Sequence, residues 1–157
     1  MSSIIPLLTE YEKQNLSERQ PLPDKYLGLA DEEMLRRIAA ARAISQRYNA
    51  HVVLKGNGSV LVARDGHLFI NTTGNPGMAS AGMGDVLSGI LGALLAQRLS
   101  GESALVLGTH LHGAAADELA ATGAGPVGLT AGELADAARR VWNQWLKEKG
   151  SDPFISS

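Results

Sequence analysis

The sequence predicts an α/β fold in which helices pack on a β-sheet, and three observations support this prediction. Apolar residues recur at helical spacing in four stretches, at about 31–48, 86–95, 102–121 and 131–148. Between the first two stretches lie a β-branched run and a hairpin pattern. Glycine is in excess at 18 residues, which favours close packing of helices on a sheet and a backbone that a small ligand can approach.

The two ends of the chain carry little periodic pattern. Residues 1–30 contain three prolines and no sustained period, so we expect an irregular N-terminal segment. The first helix is predicted at about 31–48, because Asp31 is a suitable N-cap and apolar residues follow at helical spacing. Residues 150–157 are expected to fray. The whole chain, 1–157, has the length of a single domain.

Residues 51–70 predict short strands. The run His51-Val-Val-Leu is β-branched and is expected to form a buried strand that ends at Lys55. Residues 59–64 and 67–70 form a hairpin pattern around Asp65-Gly66, because this dipeptide supplies both positive-φ positions of a tight turn.

The second half of the chain predicts a loop at 72–78, followed by helices. The helix at 86–95 carries a wide apolar stripe, so we expect most of its surface to be buried, with close backbone approach at Gly89 and Gly92. The last helix, at 131–148, opens with a capping box formed by Thr130 and Glu133.

Composition excludes several classes of protein. The formal charge of −2 is unlike a nucleic-acid-binding surface, and aromatic residues at 4% are too few to stack bases. The absence of cysteine excludes disulfides, thiolate metal sites and a cysteine nucleophile. No apolar stretch reaches the ~20 residues that span a bilayer, and no basic-then-apolar leader is present. We expect a soluble, cytoplasmic protein without a membrane or nucleic-acid partner.

The strongest functional motif is Gly82-Met83-Gly84-Asp85, a glycine-rich turn that leads into a helix. Free backbone N–H groups and the positive end of the helix dipole make such a junction an anion site, and glycines let a phosphate approach. A carboxylate beside a bound phosphate can accept the proton of a reacting hydroxyl. The structural alternative is that Asp85 only complements the dipole and that the glycines fit a crowded interface.

Two further turns are candidate ligand loops. Lys55-Gly-Asn-Gly-Ser59 follows a strand end, where ligands gather in open α/β sheets, and it carries a cation and a hydroxyl. Its alternative is an ordinary connection with a solvated lysine. Asn75-Pro-Gly77 is either a rigid turn or a ligand-facing loop.

The remaining polar residues favour structural roles. His110 and His112 lie two apart, so they point to different sides of a helix, and we expect them at its surface or at an interface rather than on one metal. His51 and His67 are expected to be packing or edge residues. Four arginines are expected to form a solvated helix face, with nucleotide phosphates or a partner subunit as the alternative: Arg36, Arg37, Arg42 and Arg47.

Taken in order, these motifs resemble those of the ADP/ATP-dependent NAD(P)H-hydrate dehydratases, a branch of the ribokinase-like superfamily. The resemblance covers about 31–149 and is strongest over 53–97. Gly-x-Gly-Asp at 82–85 alone indicates only the superfamily. Together with Gly-Asn-Pro-Gly-Met-Ala at 74–79, it is specific for the dehydratase branch.

The resemblance implies an incomplete three-layer ribokinase-like fold, the C-terminal half of the usual domain. It implies repair of hydrated NADH and NADPH at the expense of ADP or ATP, with Mg²⁺ accompanying the nucleotide. Asp85 matches the catalytic aspartate of the family, which contacts the hydrated dinucleotide and acts as the base on its hydroxyl. Asn75 is predicted to bind the substrate. No residue is assigned to a metal. The predicted nucleotide-binding residues are Lys55, Gly56, Asn57, Gly58, Ser59, Gly82, Met83 and Gly84.

The chain departs from the family pattern in three places. Ser59 closes the nucleotide loop where threonine is usual, and it keeps the hydroxyl. Met83 stands where the family often has a small hydroxyl residue, and a backbone donor survives that change. The family's N-terminal half, with its Thr-Pro-His-Pro-Gly-Glu segment, is missing, so we expect a homo-oligomer or a complementary N-terminal half as partner.

Two alternative functions stay open. The first is a ribokinase-like small-molecule kinase that phosphorylates a sugar or a vitamin-precursor alcohol. The second is an inactive remnant that binds nucleotide or forms oligomers, which the missing histidine favours. The Asn75 loop favours the dehydratase.

Overall fold

The computed structural model describes residues 31–148. The predictions of an irregular segment at 1–30 and a frayed tail at 150–157 lie outside these residues. Four α-helices and three strands follow one another in the described part, in the order that the sequence predicts. They are α1 (Asp31–Tyr48), β1 (Val52–Leu54), β2 (Ser59–Val62), β3 (Leu68–Asn71), α2 (Met83–Ala96), α3 (Gly101–Ala121) and α4 (Ala131–Glu148).

The described residues form two compact units. The first unit contains 31–72 and 94–107, and the second contains 73–93 and 108–148. Helices α2 and α3 each contribute to both units. Between residues 31 and 148, no helix is both long enough and apolar enough to cross a membrane.

The first unit is built on an antiparallel sheet with strand order β1-β2-β3. In its register, Leu61 of β2 lies opposite Val53 on one side and Phe69 on the other. Helix α1 packs on this sheet because its buried residues recur every three or four positions, as amphipathic helices require. The shared core consists of Met34, Ile38, Ala41, Val60, Val62 and Leu68.

Strand β1 is half-buried along its whole length, so the prediction of a buried strand is wrong. The reason is its place in the sheet. Within the described residues, β1 pairs only with β2 and therefore lies at an edge. The central strand β2 is buried from Val60 to Val62.

The Asp-Gly hairpin forms, but its turn differs from the predicted one. Of the two turn residues only Gly66 has a positive φ, at +96°, so the prediction for Asp65 is wrong. The Gly66 N–H donates to the Ala63 carbonyl at 2.9 Å, and the Ala63 N–H donates to the His67 carbonyl at 2.8 Å. This is the pattern of a three-residue loop, in which a left-handed glycine follows a tight turn.

The second unit is held by an apolar core to which α3 and α4 both contribute. Helix α4 begins at the predicted capping box, where the Glu133 N–H donates to the Thr130 hydroxyl at 3.4 Å and the Thr130 N–H donates to the Glu133 carboxylate at 3.0 Å. Hydrogen bonds from the Thr130 hydroxyl and N–H lower the pKa of the Glu133 carboxyl. The core consists of Met83, Leu111, Ala115, Ala116, Leu119, Leu129, Leu134, Ala137, Ala138 and Val141.

Helix α2 is less buried than its apolar stripe predicts. Leu87 and Leu94 are buried, but Leu95 is 50% exposed. A Cβ atom built on Gly89 or Gly92 meets no atom within 4 Å. The prediction of close backbone approach at these two glycines is therefore wrong for the structure described.

Candidate active-site and nucleotide loops

The junction at Gly82 sets the start of α2. The Gly82 carbonyl accepts the N–H groups of Asp85 at 3.0 Å and of Val86 at 3.1 Å, so Gly82 occupies the N-cap position. Its φ of +83° favours glycine, and an added Cβ would lie 2.9 Å from Cβ of Ala131. Both the backbone conformation and the available space therefore require glycine here.

The first N–H groups of α2 give this end an affinity for anions. In any α-helix the first backbone N–H groups have no hydrogen-bond partner within the helix. In α2 these are the N–H groups of Gly82, Met83 and Gly84. The Met83 side chain is buried in the core of the second unit, so this residue offers only its backbone. The Asp85 side chain is exposed in the first turn.

A buried histidine supports this junction, and the sequence prediction missed it. Nε2 of His112 lies 2.8 Å from the Met83 carbonyl oxygen, so Nε2 carries the hydrogen and donates. His112 is only 3% exposed, so of its two predicted places, the helix surface and an interface, the helix surface is wrong. The sequence around His112 indicates only that its neighbours Leu111, Gly113 and Ala114 are apolar or small, and it does not indicate the bond to Met83, 29 residues away.

His110 has a different environment on the same helix. Its ring is stacked on Trp145, with 5.5 Å between ring centroids and 21° between planes. Burial lowers the pKa of His110, and the charge of Asp117 opposes this shift.

The loop before α2 is held by side chains and by close packing. The side chain of Asn75 caps the short 3-10 turn Pro76–Met78, because its Oδ1 accepts the Gly77 N–H at 3.0 Å. Its Nδ2 donates to Oδ1 of Asp117 at 3.1 Å, and the Gly74 N–H donates to Oδ2 of Asp117 at 2.8 Å. The segment is thus a rigid turn, and a ligand-facing role for it stays a prediction.

Two glycines in the second unit leave no room for a side chain. A Cβ on Gly113 would overlap Oγ1 of Thr73 and lie 2.6 Å from the Thr73 carbonyl. A Cβ on Gly77 would overlap the Pro126 carbonyl oxygen. Beside Gly77 opens a shallow cavity of about 330 Å³, lined by residues of the 76–80 and 126–129 segments.

The 55–59 loop lies in the first unit and has a different support. The guanidinium of Arg37 donates to the carbonyls of Asn57 at 2.7 Å and of Leu54 at 3.1 Å. The Ser59 hydroxyl donates to the Gly56 carbonyl at 3.1 Å and accepts the Gly56 N–H at 3.3 Å. Arg37 is thus bound to the loop, so the solvated helix face predicted for the four arginines is wrong at this position.

The first unit also contains a small cluster of titratable groups at the hairpin turn. Nδ1 of His67 lies 3.3 Å from Oδ2 of Asp65 and 3.2 Å from Oε2 of Glu102. All three side chains are more than one-third exposed, and His51 is exposed as well. Of the two roles predicted for His51 and His67, the structure therefore shows the edge residue, because both are exposed and directly precede the outer strands β1 and β3.

Comparison with known proteins identifies the family. The sequence model of the family described as NAD(P)H-hydrate dehydratase matches residues 24–140. The chain belongs to this family. The expected α/β fold, a partial ribokinase-like domain, is confirmed by its likeness to dehydratase structures.

Several relatives are closely similar over part of their length. The bifunctional NAD(P)H-hydrate repair enzyme Nnr of Escherichia coli (strain K12) is 47% identical over 121 residues, which cover 77% of this chain and 23% of that protein. The ADP-dependent (S)-NAD(P)H-hydrate dehydratase of Neisseria meningitidis serogroup B is 45% identical over 111 residues, covering 71% of this chain and 38% of that protein.

A solved structure is also similar. It is the ADP/ATP-dependent NAD(P)H-hydrate dehydratase of Bacillus subtilis co-crystallized with ATP/Mg²⁺, with a TM-score of 0.66 and 31% identity over 75% of this chain and 43% of that chain. The chain thus spans less than half the length of each of these three proteins.

Proposed function

We propose that this chain takes part in the nucleotide-dependent dehydration of hydrated NADH and NADPH. The observation that carries the proposal is the junction at Gly82, where three N–H groups without intrahelical partners precede an exposed carboxylate in the same first turn. The names of the relatives agree with this chemistry, since one is an ADP-dependent (S)-NAD(P)H-hydrate dehydratase and the other is a bifunctional NAD(P)H-hydrate repair enzyme.

The junction fits the phosphates of ADP or ATP. Its N–H groups and the positive end of the α2 dipole favour an anion, and glycine at positions 82 and 84 lets the anion come close to the backbone. Mg²⁺ is expected to accompany the nucleotide phosphates, and we assign no side chain to the metal. The nucleotide supplies a phosphoryl group that turns the ring hydroxyl into a leaving group.

Asp85 is proposed as the base. Its exposed carboxylate can accept the proton of the ring hydroxyl as that oxygen bonds to phosphorus. The terminal phosphorus gives up its bond to the bridging oxygen of ADP or ATP, so that AMP or ADP leaves. Loss of the phosphate together with a proton from the adjacent ring carbon then forms the double bond and restores the dihydronicotinamide. Asn75 is proposed to contact the hydrated dinucleotide, for which its amide retains one N–H after binding Asp117.

The 55–59 loop is proposed to bind adenine nucleotide. Lys55 is exposed and provides a cation, and Gly56 and Asn57 beside it are exposed as well. We further expect a homo-oligomer or a complementary N-terminal half as partner, which light scattering and addition of such a half would test. A cytoplasmic location stays a prediction.

The function is tested by following the recovery of dihydronicotinamide absorbance from hydrated NADH with ADP or ATP and Mg²⁺. Asp85→Asn should lower turnover by about 10²–10⁴, the range typical of a lost general base. Asp136→Asn, which removes an exposed carboxylate from α4, is the matched control. Equal turnover by Asp85→Asn and the parent would refute the role of Asp85, and a stable phosphorylated product would favour the kinase.

Nucleotide binding is tested separately by calorimetric titration with ADP and ATP. Lys55→Ala should weaken nucleotide affinity while turnover at saturating nucleotide stays close to that of the parent. Equal nucleotide affinity in the variant and the parent would contradict the placement of Lys55.

A further inference from the structure

We propose that Asp117 is a positioning residue that fixes the loop before α2 at Gly74 and Asn75, a role that rests on the function proposed above. Asp117 lies on α3, more than 40 residues from the loop in sequence, and is half-buried. It is not among the residues that the motifs single out.

The carboxylate of Asp117 binds the loop through both oxygens. Oδ2 accepts the backbone N–H of Gly74 at 2.8 Å, and Oδ1 accepts the side-chain amide of Asn75 at 3.1 Å. Within residues 31–148, no lysine or arginine forms an ion pair with this carboxylate. Its charge is therefore directed at the two donors of the loop, and charge-assisted hydrogen bonds of this kind are the strong ones.

These contacts also determine which way the Asn75 amide points. Because Asp117 accepts from Nδ2, the Oδ1 atom of Asn75 faces the Gly77 N–H and caps the 3-10 turn at 3.0 Å. The Gly74 N–H, Asp117, Asn75 and the Gly77 N–H thus form one chain of donors and acceptors. Oδ1 and Oδ2 of Asp117 each accept a hydrogen bond, which a carboxylate can do and an amide, with its single oxygen, cannot.

The proposed purpose is to hold the second Nδ2 hydrogen of Asn75 in a constant place for the hydrated dinucleotide. If the Asn75 side chain rotated freely, the bound substrate would be held less accurately, and small displacements of reacting groups lower the reaction rate strongly. Two side-chain hydroxyls of the same segment also hold it in place. The Thr73 hydroxyl donates to the His110 carbonyl at 3.1 Å, and the Ser80 hydroxyl donates to the Leu129 carbonyl at 2.9 Å.

The test uses two substitutions, each of which should loosen the loop when made alone. The double variant should restore the hydrogen bonds of the loop. Asp117→Asn places an N–H against Nδ2 of Asn75, and Asn75→Asp places two carboxylates together. In the double variant the amide at position 117 can accept the Gly74 N–H and donate to the carboxylate at position 75, which still accepts the Gly77 N–H. Glu118→Gln is the control, because it removes a carboxylate one position along α3 that instead binds Arg140 at 3.2 Å.

The first measurement is amide hydrogen exchange at Gly74 and Gly77 in the full chain. Each single substitution should reduce protection about tenfold or more, and the double variant should regain it, with Glu118→Gln unchanged. Parent-like protection in Asp117→Asn, or no recovery in the double variant, would overturn the proposal.

The second measurement is the kinetic constants for dehydration. Asp117→Asn should raise the KM for hydrated NADH about 10–100-fold and leave the KM for nucleotide unchanged, whereas a merely structural defect would affect both substrates. An unchanged KM for hydrated NADH would refute the positioning of substrate. If the parent shows no dehydration, the proposed function fails, and the exchange measurement still decides whether Asp117 fixes the loop.

Discussion

The two glycine-rich loops of this chain are supported in opposite ways. Among the described residues, Arg37 is the α1 side chain that hydrogen-bonds the 55–59 loop, and the residues of this loop are mostly exposed. The 73–85 segment is fixed at several points by Asp117, His112 and the Leu129 carbonyl, and it passes against a glycine of α3.

The way in which each loop is held determines what it can do. A loop hydrogen-bonded through one arginine, with most of its own residues exposed, can adjust to a ligand, which suits the binding of a nucleotide. A segment whose polar groups are fixed by buried or half-buried partners keeps its N–H groups and carboxylate in one arrangement, which suits chemistry. We therefore expect substitutions around 73–85 to cost more stability than substitutions around 55–59.

The largest effect is expected at Gly113. Gly113→Ala introduces a Cβ that overlaps Oγ1 of Thr73, and the neighbour is backbone as well as side chain, so it cannot move aside cheaply. We expect the free energy of unfolding to fall by about 3 kcal/mol, at the upper end of overpacking effects. Gly58→Ala, in the other loop, should cost only about 1 kcal/mol, mainly from its φ of +63°, because the Met34 Cε atom beside it is flexible.

Gly92→Ala is the control for both substitutions. It lies on α2 with open space around it, so the variant should gain up to about 1 kcal/mol from helix propensity. Urea unfolding of the three variants measures all of these values. Equal losses for Gly113→Ala and Gly58→Ala would remove the contrast between the two loops.

A smaller effect is expected at Arg37. Arg37→Ala removes the exposed hydrogen bond to the Asn57 carbonyl and the part-buried one to the Leu54 carbonyl. It should lower the free energy of unfolding by about 1 kcal/mol, a typical net contribution of hydrogen bonds. The affinity for ADP should fall several-fold, because the nucleotide must then order the loop itself. Arg37→Lys should be intermediate, since a lysine cannot reach two carbonyls with one rigid fork.

Arg36→Ala serves as the control for Arg37, because Arg36 is an exposed neighbour on the same helix. Titration calorimetry with ADP measures the affinities. If Arg37→Ala and Arg36→Ala bind ADP equally well, the conformation of the 55–59 loop does not matter for the nucleotide.

The sequence predicted the elements that depend on local pattern. The four helices, the hairpin, the capping box at Thr130 and the glycine junction before Asp85 all follow from spacing within a few residues. It did not predict Arg37, His112 or Asp117, because their partners lie 17 to 43 residues away and only the tertiary fold brings them together. The prediction overestimated the burial of α2 for a related reason. An apolar stripe on a helix does not indicate which other element packs against it.

The smallest effect concerns the pH dependence of the second unit through His110. Burial lowers the pKa of His110 in the folded chain, so on acidification the unfolded chain takes up a proton before the folded one does. The contribution to stability is complete above the ordinary histidine pKa of about 6.5, and it is lost as the pH falls from there through the folded pKa.

His110→Phe should keep the stack on Trp145 and remove this loss, so the variant should be less sensitive to acid than the parent between neutral pH and the folded pKa. Denaturant unfolding at a series of pH values measures the slopes, and His51→Phe, at an exposed position in the first unit, is the control. If the stability of His110→Phe depends on pH as steeply as that of the parent, acid destabilises the second unit through another group. The His110 ring would then contribute nothing to the acid sensitivity of the 73–85 segment.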